Sequence, residues 1–334
     1  MEHHLTKIKS WIYNKRLYSF TETVNCKTVD QAPIAEPAAI AGSEGIRGTA
    51  EAQNHVVVRV RWHARAKSGG FDENRVGRVS IDDEERLTPT HIETIGWTAQ
   101  QFERLVLDSR PTVAVFDCDG TLWGGDSGHG FMVWSIEQGL VSRSTSDWID
   151  TRYRGYLAGN VNELDICGAM VQIYAGLREQ EVRSAAAVFV EKFVLGRVFA
   201  EMAALLAKLR EAGVELWAVS STNKWVVAEG VRGFGIAENR ILAAEVRVVD
   251  GQITSELVDV PTDAGKAASL VRVGLLRPDA VFGNSIHDLA MLEIARNAFP
   301  VNPSPALIES AIRKGWGYFR PQAAEIIDAV VGGE

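Results

Sequence analysis

The 334-residue sequence predicts an α/β fold, in which a doubly wound parallel sheet carries a helical cap domain inserted after its first strand. Short apolar runs recur at residues 113–116, 214–219, 280–282 and 298–301, and helical patterns separate them. A continuous apolar run is typical of a parallel strand that is covered on both faces. Strands that alternate with helices in this way imply right-handed crossovers and a single parallel sheet.

Composition and charge exclude several function classes. The chain is 46% hydrophobic and 23% charged, and it contains neither a run of about 18 apolar residues nor the apolar core of a signal peptide. We therefore expect a cytoplasmic protein with no membrane partner. Cys26, Cys118 and Cys167 are scattered, which favours neither a disulfide framework nor a zinc site.

The net charge of −8 is unevenly distributed. Residues 1–110 hold 15 Lys and Arg against 15 Asp and Glu, whereas residues 111–334 hold 20 against 28. A net acidic domain is a poor match for a nucleic-acid backbone, so no nucleic-acid partner is expected. A local basic site for one small phosphate remains compatible with this balance.

The first 95 residues form an N-terminal extension that we predict to be largely linker or disordered. A short helix is indicated near residues 11–20, a Pro/Ala/Gly/Glu-rich stretch follows at 32–52, and residues 56–62 have the pattern of a solvated edge strand. Thr98 is a predicted N-cap, and the helix that it begins should reach about Asp108 before Pro111.

The rest of the chain divides into a catalytic core, predicted at 96–123 and 200–325, and a helical cap at 124–199. Four helical patterns make up the cap, near residues 131–138, 148–157, 164–174 and 181–194. A further helix with Phe199 and Met202 on one face closes at Gly213. Residues 244–249 and 252–254 predict a hairpin with a tight Asp250-Gly251 turn.

Polar residues follow each apolar run, where a parallel sheet binds its ligand. The segments are Asp117-Cys118-Asp119-Gly120-Thr121, Ser220-Ser221-Thr222-Asn223 and Gly283-Asn284-Ser285-Ile286-His287-Asp288, with Lys266 entering the helix between the second and third runs. Phosphoryl transfer needs an in-line nucleophile, a proton donor for the leaving oxygen, and charges or donors around the other phosphate oxygens. This set supplies all three.

Each of these residues has a candidate role. The Asp117 carboxylate is the candidate nucleophile, and Asp119 the acid and base that protonates the leaving alcohol and then activates water. Ser220 and Lys266, with loop N–H groups near Gly120 and Thr121, are candidates for holding the phosphate. Candidate ligands of Mg²⁺, which prefers hard oxygen atoms, are Asp117, the carbonyl of Asp119, Asn284 and Asp288.

Alternatives stay open for several residues. Ser220 at a strand end also suits capping of the next helix, although Ser221 or Thr222 is the better expected cap. Asp288 is compatible with capping a helix over residues 289–296, with metal binding, or with both. Ser221, Asp126, His129 and Arg152 are candidate substrate contacts, with solvated helix faces as the alternative for the charged residues of the cap.

The segments FDCDGTLW, AVSSTN, the isolated lysine of PTDAGK and FGNSIHDLAML resemble, in order, the four motifs of the haloacid-dehalogenase-like (HAD) superfamily over roughly residues 111–320. The inserted helices and Val301-Asn302-Pro303 are similar to the phosphoserine-phosphatase-like branch. The resemblance implies a Rossmann-like core, a helical cap, and a Mg²⁺-dependent phosphatase with an aspartyl-phosphate intermediate. It assigns nucleophile, acid/base and phosphate-binding roles to the same residues as above.

Two departures from this pattern bear on function. Asn284 stands where an aspartate is common, and Gly124-Gly125-Asp126 stands where phosphoserine phosphatases have a glutamate for the substrate amine. A small phosphorylated metabolite is the expected substrate. A phosphotransferase with the same intermediate, and a catalytically weakened phospho-ligand binding protein, are the competing hypotheses.

Overall fold

A computed structural model of the chain describes residues 96–323. The helix, linker and edge strand predicted within residues 1–95 lie outside the described residues, as do the last two residues of the predicted core. Division of the chain into a core and a cap stays a prediction.

Eight strands are present among the described residues. They are β1 (Gly96–Trp97), β2 (Val113–Phe116), β3 (Glu215–Asn223), β4 (Ile241–Val249), β5 (Gln252–Asp259), β6 (Ala280–Gly283), β7 (Asn297–Pro300) and β8 (Tyr318–Phe319). Six of them form one sheet in the order β5-β4-β3-β2-β6-β7, and the neighbours are parallel except for the antiparallel β4–β5 pair. The predicted α/β fold with a parallel sheet is therefore confirmed.

Ten α-helices connect and flank these strands in residues 96–323. They are α1 (Ala99–Asp108), α2 (Ser127–Glu137), α3 (Arg143–Leu157), α4 (Glu163–Gln172), α5 (Glu179–Phe193), α6 (Ala200–Glu211), α7 (Lys224–Val231), α8 (Ala264–Arg272), α9 (Leu289–Ile294) and α10 (Pro305–Lys314). Four of them, α2 to α5, lie in the predicted insertion, and all four begin before the residue expected from the sequence. None of the helices in the described part of the chain has the length and apolar character needed to cross a bilayer.

The central strand β2 is covered on both faces, as its apolar run predicts. On one face Val115 packs in a buried cluster with Val219 of β3 and Val281 of β6. On the other face Phe116 stacks on Phe282 with ring centroids 4.4 Å apart. Helices pack on the first face and aromatic rings on the second, so the strands are held firmly. The loops that follow them therefore begin at well-defined positions.

Two features of the sheet differ from the sequence-based expectation. The predicted hairpin exists, with positive φ angles of 49° at Asp250 and 73° at Gly251, but its first strand also pairs in parallel with β3 and so joins the main sheet. Strands β1 and β8 were not predicted. Each is two residues long, which is too short to give a periodic pattern.

Helix ends test the capping predictions directly. Thr98 caps α1 through a capping box with Gln101, as predicted. Neither Ser221 nor Thr222 caps α7, because β3 extends through both, and the Asn223 side chain accepts from the N–H of Val226 instead at 3.0 Å. Asp288 makes no side-chain cap on α9, so that alternative is also wrong.

Candidate active site

The sheet order brings the three polar loops together. Strand β2 lies between β3 and β6, so the residues that follow these three strands meet at one edge of the sheet. Asp117 comes directly after β2, Ser220 lies near the end of β3, and Asn284 follows β6. Lys266 reaches the same place from the first turn of α8.

A buried ionic cluster forms the centre of the site. The Lys266 ammonium lies 2.7 Å from Oδ1 of Asp117 and 2.5 Å from Oδ1 of Asp288. All three residues are at most 4% exposed. Thr121 donates its hydroxyl to the other oxygen of Asp117 at 2.8 Å. Two carboxylates share one lysine, which leaves one net negative charge away from water when both are ionised.

The pKa values of these groups follow from that arrangement. The pKa of Asp117 is raised to about 7, mainly by burial and then by the charge of Asp288, whereas Lys266 and Thr121 oppose the rise. Burial alone would lower the pKa of Lys266, but the charges of Asp117 and Asp288 outweigh burial and raise it. Lys266 is therefore charged, and additional positive charge beside Asp117 would favour its ionised form.

Asp288 is held in the cluster by the loop that carries it. Its Oδ2 accepts from the backbone N–H groups of Asn284 and Ser285, both at 2.8 Å. Its Cβ comes so near Gly283 that a Cβ on that glycine would lie 2.6 Å away. The loop after β6 thus wraps around a fully buried carboxylate.

Asp119 has a different environment, because its three donors are uncharged. Oδ1 accepts from the indole N–H of Trp123 at 2.6 Å and from the backbone N–H of Ser127 at 2.9 Å. Oδ2 accepts from the hydroxyl of Thr222 at 2.7 Å. Burial raises the pKa of Asp119, and so does the nearby charge of Asp126, while Thr222 and Ser127 oppose the rise. The side chain is thus oriented to exchange a proton.

Trp123 and Thr222 were not identified from the sequence as functional residues. Trp123 lies within the first motif and Thr222 is a candidate helix cap, but no spacing rule indicates that both side chains reach Asp119. Cys118, between the two aspartates, has its pKa raised well above the usual range by burial and by their charges. It stays a thiol and does not compete as a nucleophile.

The loop after β2 is compact, which limits its donors. The N–H of Gly120 donates to the carbonyl of Trp123 at 2.7 Å, and that of Thr121 to the carbonyl of Cys118 at 3.1 Å. In this conformation both N–H groups donate within the turn, and their binding of phosphate stays a prediction. Ser220 is 2% exposed, and its hydroxyl accepts from the N–H of Thr222 at 3.2 Å while keeping its own proton to donate.

Asn284 lies directly over this loop. Gly120 has a positive φ of 78°, and a Cβ there would come within 1.9 Å of Nδ2 and 2.7 Å of Cγ of Asn284. Only glycine leaves room for the amide at this position. Asn302, in the segment after β7, donates to the Gly120 carbonyl at 3.3 Å and holds the same loop from the other side.

The candidate substrate contacts of the inserted helices take separate positions. Asp126 caps α2 by accepting from the N–H of His129 at 2.8 Å, and its charge acts on Asp119. The His129 ring stacks on Tyr153 with centroids 4.5 Å apart. Arg152 lies on α3 with its guanidinium 5.3 Å from the Trp148 ring. Asp126 is thus next to the acid/base candidate, while Arg152 packs on its own helix.

A metal ion at this site would need ligands of mixed type. In residues 96–323, no group of three or more His, Cys, Asp or Glu side chains is arranged to hold one. The loops after β2 and β6 carry oxygen donors of three kinds, namely the Asp117 carboxylate, the Asn284 amide and the backbone carbonyl of Asp119. These are hard ligands of the kind that Mg²⁺ prefers.

Comparison with known proteins gives a consistent result. A sequence model of the haloacid dehalogenase-like hydrolases matches residues 114–293. A histidinol-phosphatase of Neisseria meningitidis serogroup C (strain 8013) is 24% identical over 215 residues, which cover 61% of this chain and 96% of that protein. A probable phosphatase of Mycobacterium tuberculosis (strain ATCC 25618 / H37Rv) is 27% identical over 248 residues, which cover 71% and 82%.

Among solved structures, a protein of unknown function from Bordetella pertussis Tohama I aligns with a TM-score of 0.55 and 22% identity, over 62% of this chain and 97% of that one. A phosphoserine phosphatase with a phospho-aspartyl intermediate analogue aligns with a TM-score of 0.44 and 16% identity, over 65% and 98%. The first of these similarities supports the fold.

Proposed function

Because the chain belongs to the haloacid dehalogenase-like hydrolase family, we propose that it is a magnesium-dependent phosphomonoester hydrolase that transfers the phosphoryl group of a small metabolite to Asp117. The observation that carries this proposal is the pair of aspartates in one loop. Asp117 sits in a buried cluster with Lys266, and Asp119, two residues on, is held by uncharged donors. Environments that differ in this way suit two different chemical roles.

The first half of the reaction uses both aspartates. A carboxylate oxygen of Asp117 attacks phosphorus, and the bond from phosphorus to the leaving oxygen breaks. Asp119 gives its proton to that oxygen, so the product leaves as a neutral alcohol. Lys266, whose ammonium lies 2.7 Å from Asp117, and Ser220, near the end of the neighbouring strand β3, are the side chains best situated to donate to the phosphate oxygens.

The second half restores the enzyme. Asp119, now ionised, takes a proton from a water molecule, whose oxygen attacks phosphorus and displaces the Asp117 carboxylate. Inorganic phosphate leaves, and Asp119 again carries the proton. The helices α2 to α5 would act as a cap over this step, with Asp126 and His129 as the candidate contacts for the leaving group.

The residues at the site fit a magnesium ion. The cluster of Asp117, Asp288 and Lys266 holds one excess negative charge in a buried place, and a cation would balance it. Asp117, Asn284 and the carbonyl of Asp119 would hold the ion, with Asp288 supplying the second negative charge. When bound, Mg²⁺ would neutralise phosphate oxygens as charge develops on them.

A panel of phosphorylated metabolites tests this function. It should include histidinol phosphate, because one relative is a histidinol-phosphatase, and phosphoserine. We expect phosphate release from at least one compound with Mg²⁺, loss of release with a chelator, and none with Asp117→Asn. Turnover that survives in Asp117→Asn would rule out the proposed chemistry, and transfer of phosphate to an added alcohol would identify a phosphotransferase.

A further inference from the structure

The indole of Trp123 is fixed at both ends. Its N–H donates to Oδ1 of Asp119 at 2.6 Å, four residues back along the same loop. Its far edge packs against Gly230 of α7, where a Cβ would lie 2.8 Å from Cη2. The residue is 1% exposed. Neither end can move without displacing the carboxylate or a helix, so the ring orients Asp119 rigidly.

The oxygens of Asp119 are not equivalent. A carboxylate oxygen has two in-plane lone pairs, and Oδ1 already accepts two N–H groups, from Trp123 and Ser127. An indole N–H and a backbone N–H cannot reverse to become acceptors. A proton on Oδ1 would therefore face two donors. Oδ2 accepts from the hydroxyl of Thr222, which can rotate and accept instead.

Thr222 has the space to rotate its proton because a glycine, Gly128, stands in the first turn of α2. A Cβ on Gly128 of α2 would lie 2.6 Å from the Thr222 hydroxyl oxygen. Thr222 precedes α7, the same helix that supports the far edge of Trp123. The hydroxyl that donates to Oδ2 and the glycine behind the Trp123 ring thus both come from residues 222–230.

We propose that Trp123 is a positioning residue for Asp119: with the N–H of Ser127 it occupies Oδ1, and it thereby directs the transferred proton to Oδ2. The inference rests on the proposed function, in which Asp119 protonates the leaving oxygen. As the bond from phosphorus to that oxygen breaks, the proton passes from Oδ2 of Asp119 to the oxygen. In the second half, water returns a proton to Oδ2.

The test is Trp123→Phe, which keeps an aromatic ring against Gly230 and removes the N–H. We would measure kcat/KM, which covers the steps up to alcohol release, for aryl phosphates whose leaving groups range from p-nitrophenol to phenol. A nitrophenolate needs little help from an acid, whereas phenol does. We expect kcat/KM for phenyl phosphate to fall by about 30-fold and that for p-nitrophenyl phosphate by less than about 3-fold.

Trp217→Phe is the matched control. The Trp217 indole also donates to a carboxylate, Oε1 of Glu215 at 2.6 Å, but on β3 away from the proposed acid. Its removal should leave the ratio of the two kcat/KM values unchanged. If both tryptophan variants give the same ratio as the wild type, or if Trp123→Phe slows every ester equally, Trp123 does not position the acid.

Gly230→Ala gives a second route in case Trp123→Phe does not fold. The added methyl group presses on the far edge of the ring and shifts the indole without removing its N–H. A selective loss with phenyl phosphate, smaller than in Trp123→Phe, supports the inference, and an unchanged ratio overturns it. A wild-type protein that hydrolyses neither the aryl esters nor any phosphorylated metabolite of the panel would instead contradict the proposed function, so the two failures are distinguishable.

Discussion

Asp117 and Asp119 lie two residues apart, yet their carboxylates have different surroundings. Asp117 is balanced against Lys266 in a buried cluster that also contains Asp288. Asp119 accepts from an indole, a hydroxyl and a backbone N–H, with the charge of Asp126 nearby. Two residues of the same type thus differ through their hydrogen-bond and charge partners. That difference suits Asp117 to the proposed role of an ionised nucleophile and Asp119 to that of a group that binds and releases a proton.

Removing the proposed nucleophile should have the largest effect. Asp117→Asn replaces the attacking oxygen pair by an amide, so we expect kcat to fall by at least about 10⁴-fold with no phospho-enzyme formed. Steady-state turnover of p-nitrophenyl phosphate measures this, with circular dichroism to check the fold. A purified, folded variant within about tenfold of the wild-type rate would mean that another group attacks phosphorus.

The buried cluster of Asp117, Asp288 and Lys266 also predicts an effect on stability. Lys266→Met leaves Asp117 and Asp288 buried without their cation, so we expect the free energy of unfolding to fall by about 3–5 kcal/mol. Lys224→Met removes a more exposed ion pair with Glu245 and should cost less than about 1 kcal/mol. Urea denaturation of both variants checks this. Equal losses of unfolding free energy in the two variants would show that Lys266 does not stabilise the buried cluster.

At the second aspartate, Asp119→Asn keeps the shape of the side chain but removes the exchangeable proton. We expect kcat/KM for phenyl phosphate to fall by about 10³-fold, and that for p-nitrophenyl phosphate to fall much less. Aryl phosphates of increasing leaving-group pKa measure the difference. An equal loss across the series would assign Asp119 to a role other than proton transfer.

The smallest expected effect concerns the metal. Asn284 offers a neutral oxygen, so Asn284→Asp should lower the Mg²⁺ concentration for half-maximal activity by about 3- to 10-fold, and Asp288→Asn should raise it. Magnesium titrations of the three proteins at one pH provide the measurement. If Asp288→Asn needs the same Mg²⁺ concentration for half-maximal activity as the wild type, or a lower one, the metal binds elsewhere.

Much of this fold was predictable because its signals are local. An apolar run such as residues 113–116 can only be buried on both faces, and the polar residues after it must then meet at the sheet edge. The positions of Asp117, Ser220 and Asn284 follow from that reasoning, whereas Lys266, in a helix, was located by its resemblance to the third family motif. Helix starts were less accurate, because caps such as Asp126 lie several residues before the first apolar position.

The contacts of single side chains were not predictable. Nothing in the spacing shows that Trp123 turns back to Asp119, since that depends on the space left by Gly230 on a distant helix. Nor does the sequence reveal that the Gly120 and Thr121 N–H groups are used inside their own turn. The Asn223 cap was missed because β3 is longer than its apolar run.

Trapping the phosphoryl group tests the central claim most directly. If Asp119 activates water, Asp119→Asn should accept phosphate from p-nitrophenyl phosphate and release it slowly. After rapid mixing with Mg²⁺, acid quenching and borohydride reduction, mass spectrometry of the peptide should find the reduced residue at Asp117, and none in the Asp117→Asn, Asp119→Asn double variant. Release of nitrophenol with no adduct on Asp117, or with the mark on another residue, would contradict the account.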